Sequence, residues 1–433
     1  MPFDLSKYPH LDKILKDVYN NSVVYEKHYD GAYDENWLKE YNLFYRKQAN
    51  ATPYVKRVFL RAKQKRGKRM GFVDLRPVTD GSEISETYLV PPDSLVQKNI
   101  YFKCLRPCDQ YGEQVTCTPY IMPESIFGVC IHASMWICLK ILEGMIEKPL
   151  SIPEIQKTAY GSPYTDKQGL PFVQTARILR MSRAYSFYIN NSEALLDDDR
   201  MLMELYAYVE SGLPVIVGVD TRDLAWWNGA REHGYHSIVA IGHSMKDNMT
   251  DGFIFHDESA LPYQMLNSSD VLKAWHIPRL LEFSDTTVRE LLVAVPPEVS
   301  LPFHRVFQQF QAWLLTLIVK GIVNLRDFSN LEFRPILIPS FFLFVTPKEI
   351  MFSALRDLET MPKYLWCIYL FDRGAEKNDL EHAKGFFIRD ATRQTQFRAL
   401  YLRNQKSLIY QTSRNKIFQR WEGKKNKKQV SAL

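Results

Sequence analysis

Cysteine is scarce in this chain. Six occur in 433 residues: Cys104, Cys108, Cys117, Cys130, Cys138 and Cys367. Small folds stapled by disulfides are shorter and much denser in cysteine, so that class is excluded. Long apolar runs are also lacking. The most apolar helical stretch, Ala312–Val319, is bounded by Gln311 and Lys320. A bilayer span needs about 20 apolar residues, so a buried helix is expected there and no membrane span. The segment Met1–Lys7 shows no charged region followed by an apolar run, so no signal peptide is expected. Together these absences lead to the expectation of a reducing, cytoplasmic location. No internal repeat and no long low-complexity linker is present.

Charge of one sign is modest, with a net +6. The excess sits at Arg61, Lys63, Lys65, Arg66, Lys68 and Arg69, and at Lys424, Lys425, Lys427 and Lys428. The first cluster is expected to be a basic hairpin turn and the second a solvated, disordered tail. No aromatic-rich recognition motif accompanies either, so nucleic acid is not an expected partner.

At roughly 150 residues per domain the chain is long enough for two or three domains. Its patterning suggests an N-terminal unit over 1–118, helical from residue 8 to about 50 and then β-rich. A core follows over 119–300, and a C-terminal α+β unit with a basic tail over 301–433. The core begins with an apolar helical run from Gly128. A second helix is expected after Ser151, which with Glu154 has capping-box spacing. A third begins near Leu170, and a fourth runs from Glu193 to about Ser211. Strands Leu213–Val219, His236–Gly242 and Gly252–Asp257 follow. Helices first and sheet afterwards is an α+β order.

Within that core lie the parts of a nucleophile system. Cys130 stands at the start of the helical run, where the positive helix end and unpaired amides favour thiolate. Its own amide points toward an oxyanion position. The same position also suits a buried structural cysteine. His236 begins an apolar strand and is placed to take a thiol proton. Asp257 ends the next strand, where a carboxylate can orient the imidazole. A structural histidine and a turn aspartate are the plain alternatives for those two positions.

These residues carry a resemblance. Cys130-Ile131-His132-Ala133-Ser134-Met135 resembles the nucleophile helix of papain-like cysteine peptidases, nearest the branch of double-glycine leader (bacteriocin-processing) peptidases. His236–Gly242 resembles the family's histidine strand, and Phe255-His256-Asp257 its aspartate strand. The likeness covers about residues 120 to 265. It implies a papain-like α+β core, a nucleophile helix packed on an antiparallel sheet, and thiol-dependent hydrolysis of a peptide or amide bond. The substrate is then a peptide or protein, or a small acyl or amide compound, and no cofactor is required. Two positions depart from the pattern: Ile131 replaces the usual glycine, and Glu124 stands where the family carries its oxyanion glutamine. An ionised glutamate cannot donate a hydrogen bond. Gln114 and Ser125 are candidate substitutes, and Trp227 is a candidate wall of a substrate cleft. Acyl transfer on the same triad, and an inactive interaction or regulatory module, remain open alternatives.

No metal is expected. Cys104, Cys108 and Cys117 fit no standard zinc spacing and read as packed side chains. His233, His236, His243 and His256 are scattered over both strand faces by alternation.

Overall fold

In the computed structural model the chain divides into two compact units: 1–196 with 212–244 and 251–294, and 197–211 with 245–250 and 295–433. The structure describes residues 4–30, 56–64, 68–76, 83–96, 99–110, 112–122, 130–147, 149–161, 169–221, 224, 235–246, 249–275, 289–328, 331–339, 362–372, 383–392, 397–413, 416–421 and 427–432. Helices and sheets are mixed in the α+β manner expected. Among the described residues no helix is long and apolar enough to cross a membrane.

The first unit opens with helix α1 (Pro9–Lys13) and a wider turn through Val18. The helix expected from residue 8 to about 50 is interrupted by strand, and residues 31–50 of that expectation lie outside the described residues. Asn20 and Asn21 adopt φ +47° and +55°, a left-handed conformation that ends a helix and that asparagine tolerates. The β-branched pair Val23 and Val24 then enters strand β1 (Val23–Asp30). It joins β2 (Lys56–Ala62), β3 (Arg69–Leu75), β4 (Ile84–Leu89), β6 (Arg106–Gln110) and β7 (Glu113–Tyr120) in one sheet, ordered β1-β2-β3-β4-β7-β6. Gly71 on β3 has φ +96°, and a Cβ there would lie 2.0 Å from the Tyr88 carbonyl oxygen on β4. Only glycine allows that approach.

Cys108 and Cys117 form a disulfide across the β6–β7 hairpin, which corrects the reading of both as packed thiols. In register Cys117 faces Arg106 and Cys108 faces Val115, so the two lie diagonally across one hairpin. Sequence spacing alone is silent on that register.

A second sheet carries β8 (Tyr185–Asn190), β9 (Val215–Asp220), β10 (Tyr235–Lys246), β11 (Met249–His256), β12 (Gln264–Asn267) and β13 (Glu290–Val295) in the order β12-β11-β10-β9-β13-β8. The short β5 (Ile100–Phe102) pairs with β10. The first unit's helices are α2 (Asp93–Val96), α3 (Cys130–Ile141), α4 (Ile152–Tyr160), α5 (Phe172–Met181), α6 (Asn191–Ala194) and α8 (Ser268–Ala274). The Ser151–Glu154 capping box forms as expected, closing the first turn of α4. The helix expected over Glu193–Ser211 is broken: Leu195 takes φ +53°, and Asp197 caps a new helix, α7 (Asp198–Glu210).

The second unit is a meander of β14 (Leu331–Pro339), β15 (Tyr364–Asp372), β16 (Gly385–Asp390), β17 (Arg398–Leu402), β18 (Ser407–Ser413), β19 (Lys416–Trp421) and β20 (Lys427–Ala432). Strand alternation sends Phe387 and Trp366 to one face and Phe386 and Cys367 to the other. Helix α9 (Phe303–Val319) covers the first face, with the Phe310 and Phe387 rings 4.9 Å apart. The second face gathers Cys367, Phe386, Ile388, Tyr401 and Tyr410. The basic tail is not wholly disordered, since Lys427 and Lys428 begin the edge strand β20. Lysine on an edge deters pairing with other chains.

Candidate active site

Helix α3 fixes Cys130 in space. Every residue from Ile131 to Leu139 is buried, so the helix runs through the core with its first residue half-buried at the end. The Ser134 hydroxyl is 3.2 Å from the Ser237 hydroxyl and 3.4 Å from the Ser237 carbonyl oxygen. That ties α3 to the start of β10 beside His236. The other side of the helix is held by Trp136, whose ring meets Tyr88 edge-on at 6.4 Å.

His236 is buried at the end of β10 paired with β9, opposite Val219. Asp257 immediately follows β11 and is fully buried. The His236 Nε2–H donates to Asp257 Oδ1 at 2.9 Å. The Ser259 amide donates to the same oxygen at 2.9 Å, and the Tyr120 hydroxyl donates to the Asp257 carbonyl at 3.1 Å. Two donors therefore fix one carboxylate oxygen, and a third fixes the Asp257 backbone. With Nε2 engaged, the other ring nitrogen is the one left to accept from a thiol. Cys130 Sγ, a His236 ring nitrogen and a Glu258 carboxylate oxygen all lie within 4.8 Å of one another.

Burial pushes the Cys130 thiol up, but the hydrogen bond and charge of His236, with the Ser237 hydroxyl and amide, override it and hold the thiol below the ordinary range. Burial pulls the His236 imidazole down. The charges of Glu258 and Asp257, the Asp257 hydrogen bond and the Cys130 contact more than offset this and hold it well above the ordinary value. Both directions favour a thiolate–imidazolium pair. The other free cysteines behave oppositely: burial raises Cys104, Cys138 and Cys367, the last to about 12.

The remaining histidines separate from this pair. His256 lies between the Tyr120 and Tyr263 rings, 5.3 and 5.0 Å away. It accepts from the Tyr263 amide, and burial pulls its pKa down to about 3. His132 packs against Tyr160, and burial takes it to about 4. His243 stacks on Tyr101 at 5.3 Å.

Among the other candidates, Gln114 is exposed near the hairpin end of β7. In the β6–β7 hairpin it pairs with Asp109, six residues before the strand end at Tyr120. Glu124, Ser125, Trp227 and His233 lie outside the described residues. Two residues at the site escaped the sequence reading. Ser237 was overlooked because it sits on the opposite strand parity from His236. The signal for Glu258 is a second acid directly after Asp257, three residues past the apolar run Phe253-Ile254-Phe255.

Residues 110–276 match the model of the Peptidase_C39-like family. The matched segment holds Cys130, His236 and Asp257. It supports a likeness to papain-like cysteine peptidases and a cysteine peptidase-type hydrolase. No curated protein matches the chain.

Proposed function

We propose that the first unit hydrolyses peptide bonds through a covalent thioester at Cys130. The observation that carries this is the His236 imidazole, bonded through Nε2 to a fixed carboxylate while it also contacts a half-buried thiol at a helix start. Asp257 fixes the tautomer and orients the ring, as the third group of a triad does. The Cys130 thiolate attacks the scissile carbonyl carbon. The Cys130 amide supplies part of the oxyanion hole. As the tetrahedral species collapses, the C–N bond breaks and imidazolium gives its proton to the leaving amine. Imidazole then takes a proton from water, which attacks the thioester and regenerates the thiol.

The finer likeness, to double-glycine leader peptidases, is part of this proposal. It rests on Ala133, Ser134 and Met135 after the cysteine. A peptide entering as an extended chain is the substrate class it implies. Glu124 at the family's glutamine position supports a second reading, in which the fold serves as a non-catalytic interaction module.

A panel of fluorogenic peptides, including sequences ending in two glycines, tests the proposal. Turnover that is lost in both Cys130→Ala and His236→Ala is expected. Turnover retained in Cys130→Ala would sink the proposal, and the absence of turnover together with ordinary thiol reactivity at Cys130 would leave the non-catalytic module.

A further inference from the structure

Glu258 is unexplained by a cysteine–histidine–aspartate mechanism. Its side chain is buried beside His236. One oxygen is 3.3 Å from the Ser259 hydroxyl and 3.6 Å from His236 Nε2. The other, Oε2, is buried with no hydrogen-bond partner. A buried carboxylate is stable only when something answers its charge. Asp257 already supplies the orientation that His236 needs, so Glu258 is a second acid against the same ring.

The position of Glu258 relative to the thiol suggests what answers it. A thiolate sulfur, an imidazole nitrogen and a carboxylate oxygen within 4.8 Å of one another offer the mixed donors that borderline-soft cations prefer. Tetrahedral zinc, with bonds of roughly 2.0–2.3 Å, holds its ligand atoms about 3.3–3.8 Å apart. The cluster's outer separation of 4.8 Å exceeds that by about 1 Å.

We infer that Cys130, His236 and Glu258 form a binding site for a zinc-class divalent cation that reversibly caps the nucleophile. Binding displaces to solvent the proton that the thiol–imidazole pair holds, with any on the carboxyl. The cation holds Sγ and the imidazole nitrogen that would otherwise deprotonate it, so attack and metal binding exclude each other. The binding claim stands on the ligand geometry alone. Only its consequence, inhibition, rests on the peptidase proposal above.

The test uses the full chain, freed of metal with a chelator. Zinc chloride is titrated in competition with a chromophoric zinc indicator, for the wild type, Glu258→Gln and Cys130→Ser. One zinc per chain is expected, with affinity at least tenfold weaker in each variant. Cadmium should give an ultraviolet thiolate charge-transfer band that Cys130→Ser abolishes. Magnesium, which prefers oxygen ligands, should not compete. Absence of one-to-one zinc binding, or equal affinity in Glu258→Gln, overturns the inference. Should Glu258→Gln fail to fold, Glu258→Asp carries the same comparison through a shortened ligand. Failure of the peptidase proposal reads out separately, as metal-free Cys130 alkylation that does not depend on His236.

Discussion

Replacing His236 by alanine should slow alkylation of Cys130 sharply, and the size follows from the site. A thiol with an ordinary pKa of about 8.5 is only about 3% thiolate at pH 7. In the wild type His236 and Ser237 override burial and keep the thiol below that range. Without the imidazole, burial remains as the largest influence and holds the thiol high. The thiolate fraction at pH 7 then falls about tenfold for each unit by which the thiol pKa rises. Part of this is offset because a more basic thiolate is the better nucleophile, with a Brønsted slope of about 0.4–0.5. A net slowing of roughly threefold per unit of that rise remains at pH 7. The gap widens on acidification, since the variant loses a factor of about ten per pH unit while the ion pair persists. Site-resolved iodoacetamide labelling read by peptide mass spectrometry is the assay. Cys104, Cys138 and Cys367 serve as internal controls because burial keeps all three protonated. Equal labelling of Cys130 in wild type and His236→Ala across pH 5–8 would refute the reasoning.

Three further outcomes are expected. His256 is fully buried with its pKa pulled from 6.5 to about 3. The unfolded state therefore binds the proton first, and the native state loses stability as pH falls below about 6.5; between pH 7.5 and 5 this amounts to about 2 kcal/mol. Urea unfolding of His256→Asn, which keeps an acceptor near Nδ1, should lack that share of the pH dependence, and parallel curves for the two proteins would contradict it. Ser151→Ala removes the capping box of α4 and should destabilise the first unit by about 1 kcal/mol in the same assay; no change would mean that α4 is held by packing alone. Asp257→Asn removes a charge and a hydrogen bond that raise the His236 pKa, so histidine side-chain NMR should show that imidazole titrating at lower pH, against an unchanged titration if Asp257 is merely a turn residue.

The parts legible in the sequence were those with a strong local signal. β9, β10 and β11 cover most of the strands expected over Leu213–Val219, His236–Gly242 and Gly252–Asp257, because apolar runs bounded by turn residues mark strands wherever they pair. Cys130 at a helix start, His236 at the head of a strand and Asp257 at the end of its neighbour were likewise visible as positions. What brings them together is not local. Ser134 bonding to Ser237, and Tyr120 reaching the Asp257 carbonyl, join residues more than a hundred positions apart. The misses share a cause. Val23–Asp30 departs from the helix because two asparagines enter the left-handed region first. Lys427 and Lys428 join a sheet because a neighbouring edge was available. The Cys108–Cys117 pair depends on hairpin register, which spacing does not encode. Glu258 was overlooked because a buried acid and a turn acid read alike until the packing around them is known.

The central claim is covalent chemistry at Cys130. Its most direct measurement is intact-mass analysis of the full chain after exposure to a peptidyl vinyl sulfone, followed by mapping of the adduct. The account predicts a single adduct on Cys130 that does not form in Cys130→Ala and forms slowly in His236→Ala. Modification at another cysteine instead, or none under conditions where a simple alkylating agent reacts, would contradict it.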